Sequence, residues 1–137
     1  MNRSSPQRDL VLIIARDLAS KLATPAFLVD DLGNVVFYNE AAEGVLGRPF
    51  VESRGMPAEE WSSVFRPVDA AGSSIPLPEL PLGSVMEKGL PAHAEFWIRG
   101  EADGVDRRIQ VTALPLFSSA EEFVGGLAVF WEIPGEG

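Results

Sequence analysis

The sequence contains no cysteine and one histidine, His93. The first absence excludes disulfides, thiolate nucleophiles, Cys-ligated zinc and iron–sulfur clusters. The second excludes a His/His metal pair or two catalytic imidazoles within the chain. Long apolar runs are missing as well. The run nearest the start, Leu10 to Ala15, is far short of the roughly 18–20 residues that span a bilayer. Arg16 and Asp17 follow it where a signal peptide would place small residues for cleavage. A cytoplasmic location away from membranes is therefore the expectation. Basic residues are scarce, 11 against 20 acidic ones, for a net charge of −9. Such a surface repels phosphate backbones, so nucleic acid is not an expected partner. The imbalance is uneven: residues 1–22 carry four basic and two acidic side chains, and the rest carry seven and eighteen.

The 137 residues, 46% of them hydrophobic, fit one domain with a core of its own. From Gln7 to Leu22 the pattern is helical. Leu10, Ile14, Leu18 and Leu22 recur every four residues, and Leu12 and Ile13 widen the apolar face beyond one stripe. A helix that is apolar on more than one side buries the second side against something else. Pro25 forbids its continuation. Strands are expected at Ala26–Asp30 and Val35–Tyr38 around the turn Asp31-Leu32-Gly33-Asn34. Asn39 stands as the cap of a short helix, Glu40–Leu46, ended by Gly47. Pro57–Phe65 reads as one or two helical turns, and Pro78–Lys88 as a helix closed by Gly89. Three strands close the chain, Ala94–Arg99, Arg107–Phe117 and Phe123–Ile133. The expected fold is α+β: a five-stranded antiparallel sheet, short helices on one face and the N-terminal helix on the other. The chain divides into that helix (1–22), a core (23–133) and a disordered tail (134–137).

The stretch PAFLVDDLGNVVFYNEAAEGVLGR, Pro25 to Arg48, resembles the opening of a PAS domain. An apolar strand ends in Asp, a Gly turn and second strand follow, then the pattern N-x-A-A-x-x-x-L-G. The segments AEFWIRG, Asp103-Gly104, RRIQVTALPL and VGGLAVFWEI continue the likeness over residues 23–133. The resemblance implies a sensory or dimerising module of signalling proteins, some of which hold haem, flavin or a metabolite between sheet and helices. Three departures narrow this. The light-sensing flavin type needs a cysteine. Haem members use a histidine on the helix that here is Pro78–Lys88 and has none. The closing acidic-Ile-Thr pattern becomes Glu132-Ile133-Pro134, which disfavours an outgoing helix. No haem, flavin or metal is expected.

Strand alternation divides the candidate residues between two faces. The resemblance implies which face is inner: Phe27, Val29, Phe37, Phe96, Ile98, Ile109, Val111, Ala113, Ala128 and Phe130 are expected inside, facing Leu46, Phe50, Trp61 and Met86 from the helices. Two readings follow: a pocket for an apolar small ligand, with Asn39 as a polar handle, or a self-filled core serving a pure protein–protein adaptor. His93 falls on the opposite face with Trp97. On that face Trp97, Val129 and Trp131 form an apolar patch, and with Leu10, Ile14 and Leu18 they are the expected homodimer interface. A signalling protein is the other expected partner. With no nucleophile beside a base, catalytic residues are not expected.

Overall fold

The structure, a computed structural model, describes residues 6–46, 49–50, 56–57, 60, 65–99, 105–118 and 121–134, with backbone only for 6–9. Helix α1 (Pro6–Ser20) leads into strands β1 (Ala26–Asp30) and β2 (Val35–Tyr38), then helix α2 (Glu40–Leu46). A two-residue strand β3 (Pro67–Val68), a 3-10 turn (Leu77–Glu79) and helix α3 (Pro81–Lys88) follow. Strands β4 (Ala92–Arg99), β5 (Asp106–Phe117) and β6 (Phe123–Glu132) complete the chain. The expected Gly47 stop, the Asp103-Gly104 loop, and Trp61 with much of the Pro57–Phe65 helix lie outside the described residues.

The sheet is antiparallel in the order β2-β1-β6-β5-β4-β3. It has six strands where five were expected. The sixth pairs with β4 through Pro67 to Ile98 and Val68 to Trp97. Two residues are too few to leave a periodicity, and Pro67 lacks the N–H that an interior strand would need, so it sits at an edge. The expected helix from Pro78 is divided. A 3-10 turn ends at Glu79, and α3 starts at Pro81, where a missing N–H costs nothing. Gly89 closes α3 at φ 67° and sends its N–H to the Val85 carbonyl.

One register feature reverses a side chain. Phe27 pairs with Tyr38 and Leu28 with Phe37, but Val29 pairs with Val35, so β2 carries one extra residue at a bulge. Val35 and Tyr38 therefore both enter the core, and Phe37 turns to the other face. Strict alternation had placed Phe37 inside. The Arg16 guanidinium lies 4.9 Å from the centre of its ring, on the α1 side of the sheet.

The core lies between the sheet's inner face and the helical segments. It joins Phe27, Val29, Phe96, Ile98, Ile109, Val111, Ala113, Ala128 and Phe130 to Leu80, Leu82 and Val85. Close approach is set by two glycines. A Cβ on Gly125 would overlap the Val29 carbonyl across the β1–β6 pair, and one on Gly83 would overlap the Leu77 carbonyl, so the 3-10 turn and α3 are pressed together.

Candidate functional site

Three places carry the expected site residues. The first is the inner core. Phe27, Phe65 and Phe130 stack there, with ring centres 4.9 Å apart for Phe27–Phe65 and 5.7 Å for Phe65–Phe130. With Phe96, Ile109, Val111 and Leu82 they enclose a void of about 20 Å³. That is close to the room needed by one water molecule, well below what an acyl chain or flat ring requires. Ile98, Ala113 and Ala128 are buried in the same cluster, and Leu46 and Phe50 pack half-buried against it. Phe50 meets the Tyr38 ring at 4.9 Å between centres.

A second, larger space opens beside the core. About 270 Å³ lies between the β1–β2 turn and the pair formed by the 3-10 turn and α3. Val29, Leu32, Gly33, Leu77, Pro78, Leu82, Gly83, Met86 and Glu87 line it. Of the expected pocket residues, Val29 and Met86 belong here. The turn that forms one wall is fixed by Asp30, whose Oδ1 accepts the backbone N–H of Leu32 at 2.9 Å and of Asn34 at 3.0 Å.

Asn39 was expected to orient a ligand. Its side chain is instead fully committed inside the protein and 1% exposed. Oδ1 accepts the N–H of Ala42, capping α2, at 3.0 Å, and that of Ala26 in β1 at 3.1 Å. Nδ2 donates to the carbonyls of Ala19 and Thr24, both at 2.9 Å, with a longer contact to Leu22. One amide thus ties the end of α1, the linker, β1 and α2 together. Each of those carbonyls and N–H groups stands at an element end, where the chain supplies no regular partner.

The third place is the outer face. α1 lies across β1, β6 and β2 there and reaches β5. The side it rests on centres on Ala15 and Ala19, four residues apart and both buried, with Val11, Leu12 and Arg16 half-buried around them. The two alanines let the helix come down flush over Ala26 and Leu28, which are fully buried. The apolar stripe that marked the helix in the sequence is the other side: Leu10, Ile14 and Leu18, joined by Ile13, point outward, and Leu22, past the end of the helix, is exposed as well. The Ala15–Ala19 spacing was the available signal for the true contact side. Further along the face, Trp131 is exposed with His93 at 6.3 Å between ring centres. Val129 and Trp97 are half-buried. Arg108 lies 5.9 Å from the Trp97 ring centre and pairs with Glu95 at 2.9 Å.

Charge is otherwise local. Arg99 and Asp106 pair at 2.9 Å where β4 and β5 converge on their loop. The hydrogen bond from Arg99 holds the Asp106 carboxyl below the usual carboxylate range; desolvation opposes it, and the charge of Arg99 adds to it. Among the described residues, no three His, Asp or Glu side chains converge as a metal site would need, and no helix is long and apolar enough to cross a membrane.

A family model for the PAS fold matches residues 19–134. Solved structures agree in fold. The PAS domain of BvgS from Bordetella pertussis superposes with a TM-score of 0.62 at 14% identity, covering 91% of this chain and 87% of that one. The LOV protein of Rhodobacter sphaeroides gives a TM-score of 0.66 at 12% identity, over 97% and 71% of the two chains. The PAS domain of nitrogen regulation protein NR(II) from Vibrio parahaemolyticus gives 0.54 at 17% identity, over 88% and 98%. No curated protein sequence matches the chain.

Proposed function

The chain belongs to the PAS fold family, and from that premise we propose that it is a non-enzymatic sensory or protein-interaction module of signal transduction that pairs with a second copy of itself. The outward stripe of α1 carries this reading. Four large aliphatic side chains, Leu10, Ile13, Ile14 and Leu18, stand exposed on one helix, Ile14 at 50% and Leu18 at 58%, while Ala15 and Ala19 are buried on the side that meets the sheet. A helix whose contact with its own sheet centres on Ala15 and Ala19 keeps its most exposed aliphatic side chains for a partner. A second copy meets it isologously, stripe against stripe or against Trp131, as two-fold dimers do. The proposed signal is a change in how α1 seats on the sheet, read by a cytoplasmic signalling protein.

Whether a ligand drives that change divides two readings. The near-filled core favours the adaptor, in which the inner face only supports the sheet. Light scattering on the purified chain tests the pairing: a dimer is expected, and a monomer at all concentrations refutes it. Mass spectrometry of the extracted protein separates sensor from adaptor, because a stoichiometric small molecule fits only the first.

A further inference from the structure

The cavity beside α3 differs from the core void in size and charge. At about 270 Å³ it exceeds an engineered apolar cavity of about 150 Å³ that accepts benzene. Its walls are preformed. Asp30 fixes the turn on one side, and on the other Gly83, having no Cβ, lets the 3-10 turn sit tight against α3, where the Leu80 N–H donates to the Leu77 carbonyl and the Ser84 N–H to the Leu80 carbonyl. Leu77, Leu82 and Met86 supply apolar surface. Glu87 is the one ionisable side chain among the described lining residues. Asp30 spends its carboxylate on backbone N–H groups, whereas the Glu87 carboxylate has no hydrogen-bond or ion-pair partner among the described residues. Glu87 also stands in the last turn of α3, where the helix's own partial charge is negative and a cation is favoured. Lys88, its neighbour, is exposed and does not line the cavity.

We propose that this cavity is a binding site for a small amine with a compact apolar body, its ring or branched chain lying against Leu77, Leu82 and Met86 and its ammonium group on Glu87. The preference for a cation follows from the rim carboxylate and helix end, and that for a compact body from the volume of about 270 Å³. The inference deepens the sensory reading by moving the ligand from the core to the flank of α3. It is separable from pairing, since the outer face lies across the sheet.

The test is a titration of the full chain labelled at its methionine methyl groups, with the Met86 signal assigned by Met86→Leu. Cyclohexylamine, cyclohexanol and cyclohexanecarboxylate share one body and differ in charge. Cyclohexylamine is expected to shift Met86 saturably and to bind roughly three- to fivefold more tightly than cyclohexanol, the range for an ion pair open to solvent. The carboxylate should bind more weakly than the alcohol. Glu87→Gln, at an exposed position, should reduce the amine to the level of the alcohol. Equal binding of amine and alcohol, a preference that survives Glu87→Gln, or an unmoved Met86 signal each overturns the proposal. Tighter binding by Nα-acetyl-lysine amide than by cyclohexylamine overturns it too, because it assigns the site to a partner's lysine. Light scattering on the same samples reads the pairing, so a monomeric protein that binds cyclohexylamine refutes the dimer and leaves this site standing.

Discussion

Replacing Asn39 with alanine removes a group that no other residue can replace. Three of its hydrogen bonds are fully buried: Ala26 N–H and Ala42 N–H to Oδ1, and Nδ2 to the Ala19 carbonyl. At roughly 1–1.5 kcal/mol each, and with the α2 cap counted among them, the loss is about 3–5 kcal/mol. That is a large share of the 5–15 kcal/mol typical of a whole domain. Urea denaturation measures it as a fall in midpoint at unchanged slope. A loss below about 1 kcal/mol would refute the hub, since ordinary surface substitutions cost that little. Asn39→Asp makes a finer cut. It keeps both acceptor bonds but turns an oxygen toward the carbonyls of Ala19 and Thr24, which are 2.9 Å from Nδ2. The tether to α1 should break while the cap on α2 persists. Hydrogen exchange should then accelerate at residues 10–22 and stay slow in β5 and β6. Uniform acceleration across the chain would show that Asn39 supports the whole fold and does not specifically hold α1.

In the unaltered protein, the amides of residues 10–22 should exchange faster than those of 109–113 and 126–130, because α1 is packed on one side only and most of its large aliphatic side chains are exposed, whereas β5 and β6 are paired on both sides; equal protection would make α1 a fixed cover. Gly125→Ala should cost at least about 2 kcal/mol, since its Cβ would meet the Val29 backbone carbonyl, which cannot move aside without breaking the β1–β6 pairing; a midpoint within error of wild type in thermal unfolding would contradict the close approach. Asp106→Asn should lower stability slightly at neutral pH and not in acid. The folded carboxyl lies below its unfolded value of about 4, so the contribution is present above that pH and fades as pH falls through the folded value. A gap between the two proteins that widens below about pH 4 would reverse the sign and refute the pairing.

The parts of the fold that were legible in the sequence are those set by local chemistry. The turn at residues 31–34 was marked by Gly33 and Asn34, and both flanking strands begin and end as expected. Asn39 was legible as a helix cap, because that role depends on the next three residues. Its bonds to Ala19, Thr24 and Ala26 were not, since they join segments 13 to 20 residues away through a geometry no spacing encodes. Phe37 was misplaced for a similar reason. A bulge is a relation between two strands, and β2 alone gives no sign of the extra residue. On α1 the strongest periodic signal, Leu10-Ile14-Leu18, identified the helix but not the side that meets the sheet. Size decided the centre of that contact, where Ala15 and Ala19 are buried and larger side chains would hold the helix away. The candidate pocket suffered most. An apolar inner face looks alike in sequence whether it is filled or hollow, and four phenylalanines with Leu82 and Val111 leave it nearly filled. Glu87 and the flank of α3 escaped notice, because a cavity between a turn and a helix depends on how Gly83 lets the two walls approach.

The central claim, pairing through the outward side of α1, is tested most directly by light scattering of the intact chain beside a variant carrying Ile14→Glu and Leu18→Glu. Both positions are at least half exposed in the single chain, so the variant should fold, and circular dichroism verifies that it does. The account predicts a dimer for the intact chain and a folded monomer for the variant. An intact chain that stays monomeric, or a variant that pairs as tightly as its parent, would contradict it.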